Sequence, residues 1–108
     1  MKDIEFHPAA LKAIKKFPDL VKKELGARIK GLQRGDKLSM PLSRPLKQVG
    51  RGVEELRIKD ASGIYRAFYL TRLKGRIIVF HAFMKKTQKT LQKEISTGQR
   101  RLKELSDD

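Results

Sequence analysis

An α+β domain is the fold class this sequence predicts: a helical hairpin packed on a small antiparallel meander sheet, followed by a C-terminal helix. Three observations predict it. Apolar residues recur at helical spacing over residues 11–32, shift to strand-like alternation over 53–84, and return to helical spacing from Thr87 onward. The implied order is β-α-α-β-β-β-α. A chain of 108 residues is the size of one domain, so residues 1–108 are read as a single unit.

Asp3 to Phe6 is a short first strand. Pro8 suits the first position of a helix, where its missing N–H costs nothing, and Leu11, Ile14 and Phe17 follow at helical spacing. Pro18 ends this helix and opens the next, with Asp19 against the N-terminal dipole. Val21, Leu25, Ile29 and Leu32 form the second apolar stripe, and Gly31 and Gly35 supply its end. Residues 36–52 carry Pro41, Pro45, Gly50 and Gly52 without periodicity and are expected to be a loop.

Val53 to Lys59 alternates, with Leu56 and Ile58 on one face and Glu55, Arg57 and Lys59 on the other. Asp60-Ala61-Ser62-Gly63 is a turn. Ile64 to Leu73 is a β-branched and aromatic strand, and Lys74-Gly75 is a second tight turn. Arg76 to Met84 is the most apolar strand and is expected at the centre of the sheet. Thr87 is the expected N-cap of a last helix reaching Leu105, with Leu91, Ile95, Leu102 and Leu105 on one face and Gly98 weakening its middle.

Lys and Arg number 26 against 12 Asp and Glu, a net charge of +14. Self-repulsion on that scale opposes folding, which points to a polyanionic partner, nucleic acid or ribosome before an acidic protein or a membrane surface. With no cysteine, disulfides, thiolate metal sites and cysteine nucleophiles are excluded. Met1 to Glu5 lacks the apolar core of a secretion signal, and the apolar run at Ile77 to Phe80 is far below the roughly 18 residues of a membrane span. A soluble, cytoplasmic protein is the expectation.

No phosphate-binding glycine loop, dinucleotide fingerprint or His-Glu-x-x-His motif is present. His7 and His81 have no carboxylate at metal-ligand spacing, so neither a metal nor a cofactor is expected. What remains is a set of cations on the meander: Arg57 and Lys59 on one strand, Arg66 on the next, and Lys85-Lys86 closing the third. Converged at one end of a sheet, they would hold a phosphodiester and neutralise charge in an in-line transfer, with the planar fork of arginine gripping two oxygens. Each also has a plain reading, since alternating charges mark any solvated strand face and Arg66 has Glu54 or Glu55 within structural reach. His81 is the side chain whose ordinary titration suits proton transfer near neutrality, though a half-buried structural histidine is the commoner case. Tyr65 and Phe83 lie nearer strand ends than Phe68, Tyr69 and Phe80, which the core needs; Tyr65 is the candidate base-stacking residue. Lys47, Arg51, Lys85, Lys89 and Lys93 extend the candidate backbone-binding surface.

The helical hairpin followed by Glu55-Leu56-Arg57-Ile58 and Gly63-Ile64-Tyr65-Arg66-Ala67-Phe68-Tyr69 resembles the RelE/ParE toxin superfamily. The run from Arg76 to Gln88, ending Phe83-Met84-Lys85-Lys86-Thr87, is similar to its phage-related, HigB-like branch, and Pro45-Leu46-Lys47 is in keeping. The resemblance implies the toxin of a type II toxin–antitoxin system, an mRNA interferase that cleaves translated messenger RNA on the ribosome without a metal. It also implies a cognate helix-turn-helix antitoxin as partner. By the same resemblance Arg57 and Arg66 stabilise the phosphorane, Lys59 or His81 is the general base, and Lys86 assists the leaving oxygen. One departure stands out: some relatives carry a functional tyrosine in the C-terminal segment, whereas the tyrosines here are Tyr65 and Tyr69. A gyrase-poisoning toxin of the ParE type and a non-catalytic RNA- or ribosome-binding module are the alternative readings.

Overall fold

In the computed structural model, which describes residues 1–72, 75–85 and 90–106, five strands and three helices follow the order β1 (Asp3–Phe6), α1 (Pro8–Lys15), α2 (Asp19–Gln33), β2 (Ser43–Pro45), β3 (Val53–Asp60), β4 (Gly63–Arg72), β5 (Arg76–Lys85) and α3 (Gln92–Ser106). The strands make one sheet in the order β1-β5-β4-β3-β2. The three long strands form the expected antiparallel meander, with Arg57 opposite Arg66 and Arg66 opposite Phe83.

Several expectations are corrected. The sheet is mixed, because β1 pairs parallel with β5. The chain leaves β1 through α1 and α2, reaches β2 at the opposite edge, and returns strand by strand through the meander, so that β5 arrives beside β1 running in the same direction. The loop over 36–52 contains a short edge strand, β2, in which Arg44 pairs with Glu55; its proline sits at an edge, where a missing donor is tolerated. β5 is interior, but β4 is the central strand. The last helix begins at Gln92, so Leu91 precedes it and is half-exposed instead of joining the stripe; Thr87 lies outside the described residues.

Both faces of the sheet are covered. On one, Ile14, Val21, Leu25, Ile29 and Leu32 of the hairpin pack on Leu56, Ile58, Ala67, Tyr69 and Val79. On the other, Ile95, with Leu102 and Leu105 partly buried, packs on Val53, Phe68, Ile78 and Phe80, with Leu46 and Val49 beneath the loop. A bulge in β5 keeps both faces filled. Phe68 lies opposite His81 while Tyr69 lies opposite Val79, so Phe80 is an extra residue. Odd positions face the hairpin before the bulge (Ile77, Val79) and an even one after it (Ala82), which places Phe80 and His81 together on the α3 side.

Candidate nucleic-acid interface

Alternation on β3 and β4 sends Glu55, Arg57, Lys59, Ile64, Arg66 and Phe68 to the α3 side of the sheet. Cross-strand pairing aligns them in rows: Arg44, Glu55, Phe68 and His81; then Arg57, Arg66 and Phe83; then Lys59, Ile64 and Lys85. Three buried or half-buried cations thereby surround one carboxylate. Glu55 has no exposed surface. Its Oε1 accepts from Arg44 Nε at 2.9 Å and lies 3.6 Å from Arg66 Nε, and its Oε2 accepts from Thr90 Oγ1 at 2.8 Å. Lys85 Nζ donates to the same Thr90 hydroxyl at 3.4 Å.

Among the described residues, Glu55 is the carboxylate that Arg44 and Arg66 pair with and that also lowers the charge repulsion on Lys85. Burial, with the charge of Arg66 next, pushes the Lys85 ammonium below its ordinary value. Burial also lowers Arg66, with Glu55 opposing, but a guanidinium remains charged. Arg66 donates through Nη1 to the Tyr65 carbonyl at 3.0 Å, while its buried Nε has no hydrogen-bond partner. A buried donor left without a hydrogen bond costs about 1–3 kcal/mol, and among the described residues Arg66 Nε has only the 3.6 Å ion-pair contact with Glu55 to offset it.

Beside the cluster, Arg57, Lys59 and Arg66 line a hollow of about 350 Å³. Arg57 Nη1 meets the Met40 sulfur at 3.2 Å, and among the described residues neither Arg57 nor Lys59 is paired with a carboxylate. Cations without a carboxylate partner, placed beside the Glu55 cluster, have the chemistry to hold phosphate oxygens.

The candidate residues divide clearly. Arg57, Lys59, Arg66 and Lys85 come together at one end of the sheet, as their spacing suggests. Lys47 lines a neighbouring cleft, whereas Arg51 is exposed on the loop before β3 and Lys93 on α3. Lys86 and Lys89 lie outside the described residues. Tyr65 is corrected: its side chain faces the hairpin, packs on the Phe17 ring at 4.9 Å and is 3% exposed, so it cannot stack on a base. His81 is also taken out of the role of general base. Arg101 Nη1 approaches Nδ1 at 2.9 Å and can only donate, so Nδ1 accepts and the proton resides on Nε2, which donates to Glu94 Oε1 at 3.0 Å. Both ring nitrogens are occupied, and Phe83 stacks on the ring at 5.0 Å.

Glu55, Arg44 and Thr90 were not apparent as site residues in the sequence. Glu55 looks like part of a solvated face until Arg44 and Thr90, 11 residues before it and 35 after it, arrive on either side. Among the described residues no group of three His, Cys, Asp or Glu could hold a metal ion, and no helix is long and apolar enough to cross a membrane.

Comparison with known proteins agrees with this architecture. The sequence signature of the phage-derived Gp49-like protein family matches residues 12–103. No curated protein matches. Among solved structures, the isolated RelE toxin of E. coli aligns with a TM-score of 0.59 at 17% identity, over 82% of this chain and 89% of its own. RelE in the RelB–RelE antitoxin–toxin complex of Methanococcus jannaschii aligns with a TM-score of 0.60 at 18% identity, over 76% of this chain and 91% of its own. The chain belongs to the phage-derived Gp49-like family, and it has the fold of the RelE toxins.

Proposed function

We propose that this protein is the toxin of a type II toxin–antitoxin pair, of the HigB-like kind, and that it cuts messenger RNA during translation. The observation that carries the reading is the cationic end of the sheet, where half-buried Arg57 and exposed Lys59, neither paired with a carboxylate among the described residues, adjoin buried Arg66 and Lys85. In the proposed reaction a ribose 2′-oxygen attacks the adjacent phosphorus and gives up its proton to a base. The bond from phosphorus to the 5′-oxygen then breaks, and that oxygen takes a proton, leaving a cyclic phosphate and a free 5′-OH. Arg57 and Arg66 balance the charge that grows on the non-bridging oxygens. Because the nucleophile is internal to the RNA, the step needs no activated water and hence no metal to make one.

With His81 engaged by Glu94 and Arg101, proton transfer falls to the lysines. Lys59 is exposed at the rim of the hollow, and Lys85 is held below its ordinary value by burial first and then by the charge of Arg66, which favours release of its proton. Lys86 retains its proposed part at the leaving oxygen. The ribosome would supply the alignment of the RNA that so small a site cannot impose alone. A helix-turn-helix antitoxin is the proposed protein partner, by analogy with the RelB–RelE complexes.

Mapping messenger RNA 5′ ends in a cell-free translation system tests this. Arg57→Ala is the informative variant, because Arg57 is not tied to Glu55 and its loss leaves the buried network intact. Codon-phased cuts with the wild type, reduced at least a hundredfold in Arg57→Ala, are expected. Intact message in the presence of wild-type protein sinks the nuclease reading, and blocked DNA supercoiling in the same extract would point to a gyrase poison.

A further inference from the structure

A second opening lies on the other side of Arg44 from the cationic hollow. Its volume is about 830 Å³, within the range of small-ligand sites, and it runs between residues 44–48 and the segment leading into α3. Leu46 and Ile95, both buried, form an apolar floor, and Leu91 stands half-exposed at the wall.

Two carboxamides, those of Gln48 and Gln92, line this opening. Gln48 contributes its backbone carbonyl to Gln99 Nε2, which leaves its carboxamide without a partner among the described residues. Gln92 Nε2 makes one long contact, 3.3 Å to Ser96 Oγ within its own helix. A carboxamide offers a donor and an acceptor side by side, the pattern that pairs with the edge of a nucleobase. Arg44 and Lys47 are the charged residues at this opening, with no acidic side chain among the lining. Arg44 and Thr90 belong both to this cleft and to the Glu55 cluster, so the two sites are continuous.

We propose that the cleft bounded by Leu46, Leu91 and Ile95, with Gln48 and Gln92 at its rim, receives one unpaired base of the RNA strand whose phosphate is held by Arg44, Arg57 and Arg66. The inference rests on the RNA-cleaving reading for its ligand class and adds a base-selecting subsite to it. It also accounts for a face that carries no accessible tyrosine. Tyr65 is turned to the hairpin and Phe83 is stacked on His81, so the base is held between aliphatic walls and read by amides.

The test uses short RNAs methylated at every 2′-oxygen, which cannot be cut, so binding is read independently of any nuclease activity. Fluorescence anisotropy compares a parent oligonucleotide with versions carrying one abasic position at each site in turn. One position is expected to weaken binding about five- to tenfold when its base is removed, and that penalty is expected to vanish in Leu91→Ala and to change in base preference in Gln48→Ala. Both residues are partly or fully exposed, and an unchanged melting temperature confirms that the variants fold. Equal binding of parent and all abasic RNAs, no RNA binding at all, or a penalty retained in both variants overturns the subsite. Loss of message cutting in the translation assay with the base dependence intact would refute the nuclease and leave the subsite standing.

Discussion

A carboxylate taken fully out of water costs several kcal/mol unless it is paired, and Glu55 is paired on both oxygens. Its partners benefit in return, because Arg66 and Lys85 would repel one another at this distance from solvent without it. Glu55→Ala is therefore expected to destabilise the fold by about 3–5 kcal/mol, seen as a lower urea midpoint. An isosteric Glu55→Gln is expected to lose less while still loosening Arg44. If Glu55→Ala were within about 0.5 kcal/mol of the wild type, the cluster would contribute nothing to holding this face together. Arg57 behaves differently. Among the described residues it pairs with no carboxylate, so its removal is expected to affect RNA cleavage and not the urea midpoint.

Helix α3 shows how an element takes its place through a few contacts. Gly98 reads in the sequence as a weak point. In the structure an added Cβ there would lie 2.8 Å from Phe68 Cδ2 and 3.2 Å from Val49 Cγ1, so glycine lets the helix approach the sheet. Gly98→Ala improves helix propensity by about 1 kcal/mol, yet it is expected to destabilise by about 1–3 kcal/mol through overpacking. A higher denaturation midpoint for this variant would show that the close approach carries no weight. The same helix is clasped at both ends by the two histidines. His81 bonds Glu94, and His7, whose Nδ1 accepts from Ala9 N–H, donates through Nε2 to Glu104 Oε2 at 3.1 Å. Around His81 stand Glu94, Arg100 and Arg101 of α3 and the apolar rings of Phe68 and Phe83 of the sheet. Burial holds His81 below its ordinary value of 6.5, with the Glu94 hydrogen bond opposing. The unfolded chain then binds a proton that the folded chain refuses, so stability is complete above about pH 6.5 and falls as pH drops below it. Glu104, held low first by its bond from His7, adds a contribution lost further down, as pH falls through its folded value. Urea midpoints between about pH 7 and pH 5 are expected to fall, with a shallower slope in His81→Gln. Equal slopes in the two proteins would remove His81 from the account.

At the scale of the whole molecule, a net charge of +14 on 108 residues sets long-range behaviour more than any single contact. Binding to RNA is expected to weaken linearly in log affinity against log salt, with a slope of about −0.7 for each phosphate contacted on a single strand. Arg57→Ala is expected to reduce that slope by about one contact, measured by anisotropy across a salt series. A slope unchanged by this substitution would mean that Arg57 does not touch a phosphate. The remaining surface lysines, such as Lys93 of α3, add to attraction from a distance and are individually dispensable.

Sequence alone determined the class of the fold, because the hairpin stripe from Leu11 to Leu32 and the alternation from Val53 to Met84 each admit one regular structure. It also singled out Arg57, Lys59 and Arg66 as neighbours, since a tight turn at residues 60–63 fixes their register, and the meander order brings Lys85 opposite Ile64 beside them. Only the tertiary structure decided the rest. The parallel pairing of β1 depends on where the hairpin returns the chain, and β2 exists because Ser43–Pro45 finds an edge of β3 to pair with. The facing of His81 depends on a one-residue bulge that periodicity cannot register. The charge state of the site depends on Glu55, Arg44 and Thr90 meeting across long stretches of chain, and burial there turns an ordinary-looking strand carboxylate into the group that holds three cations in place.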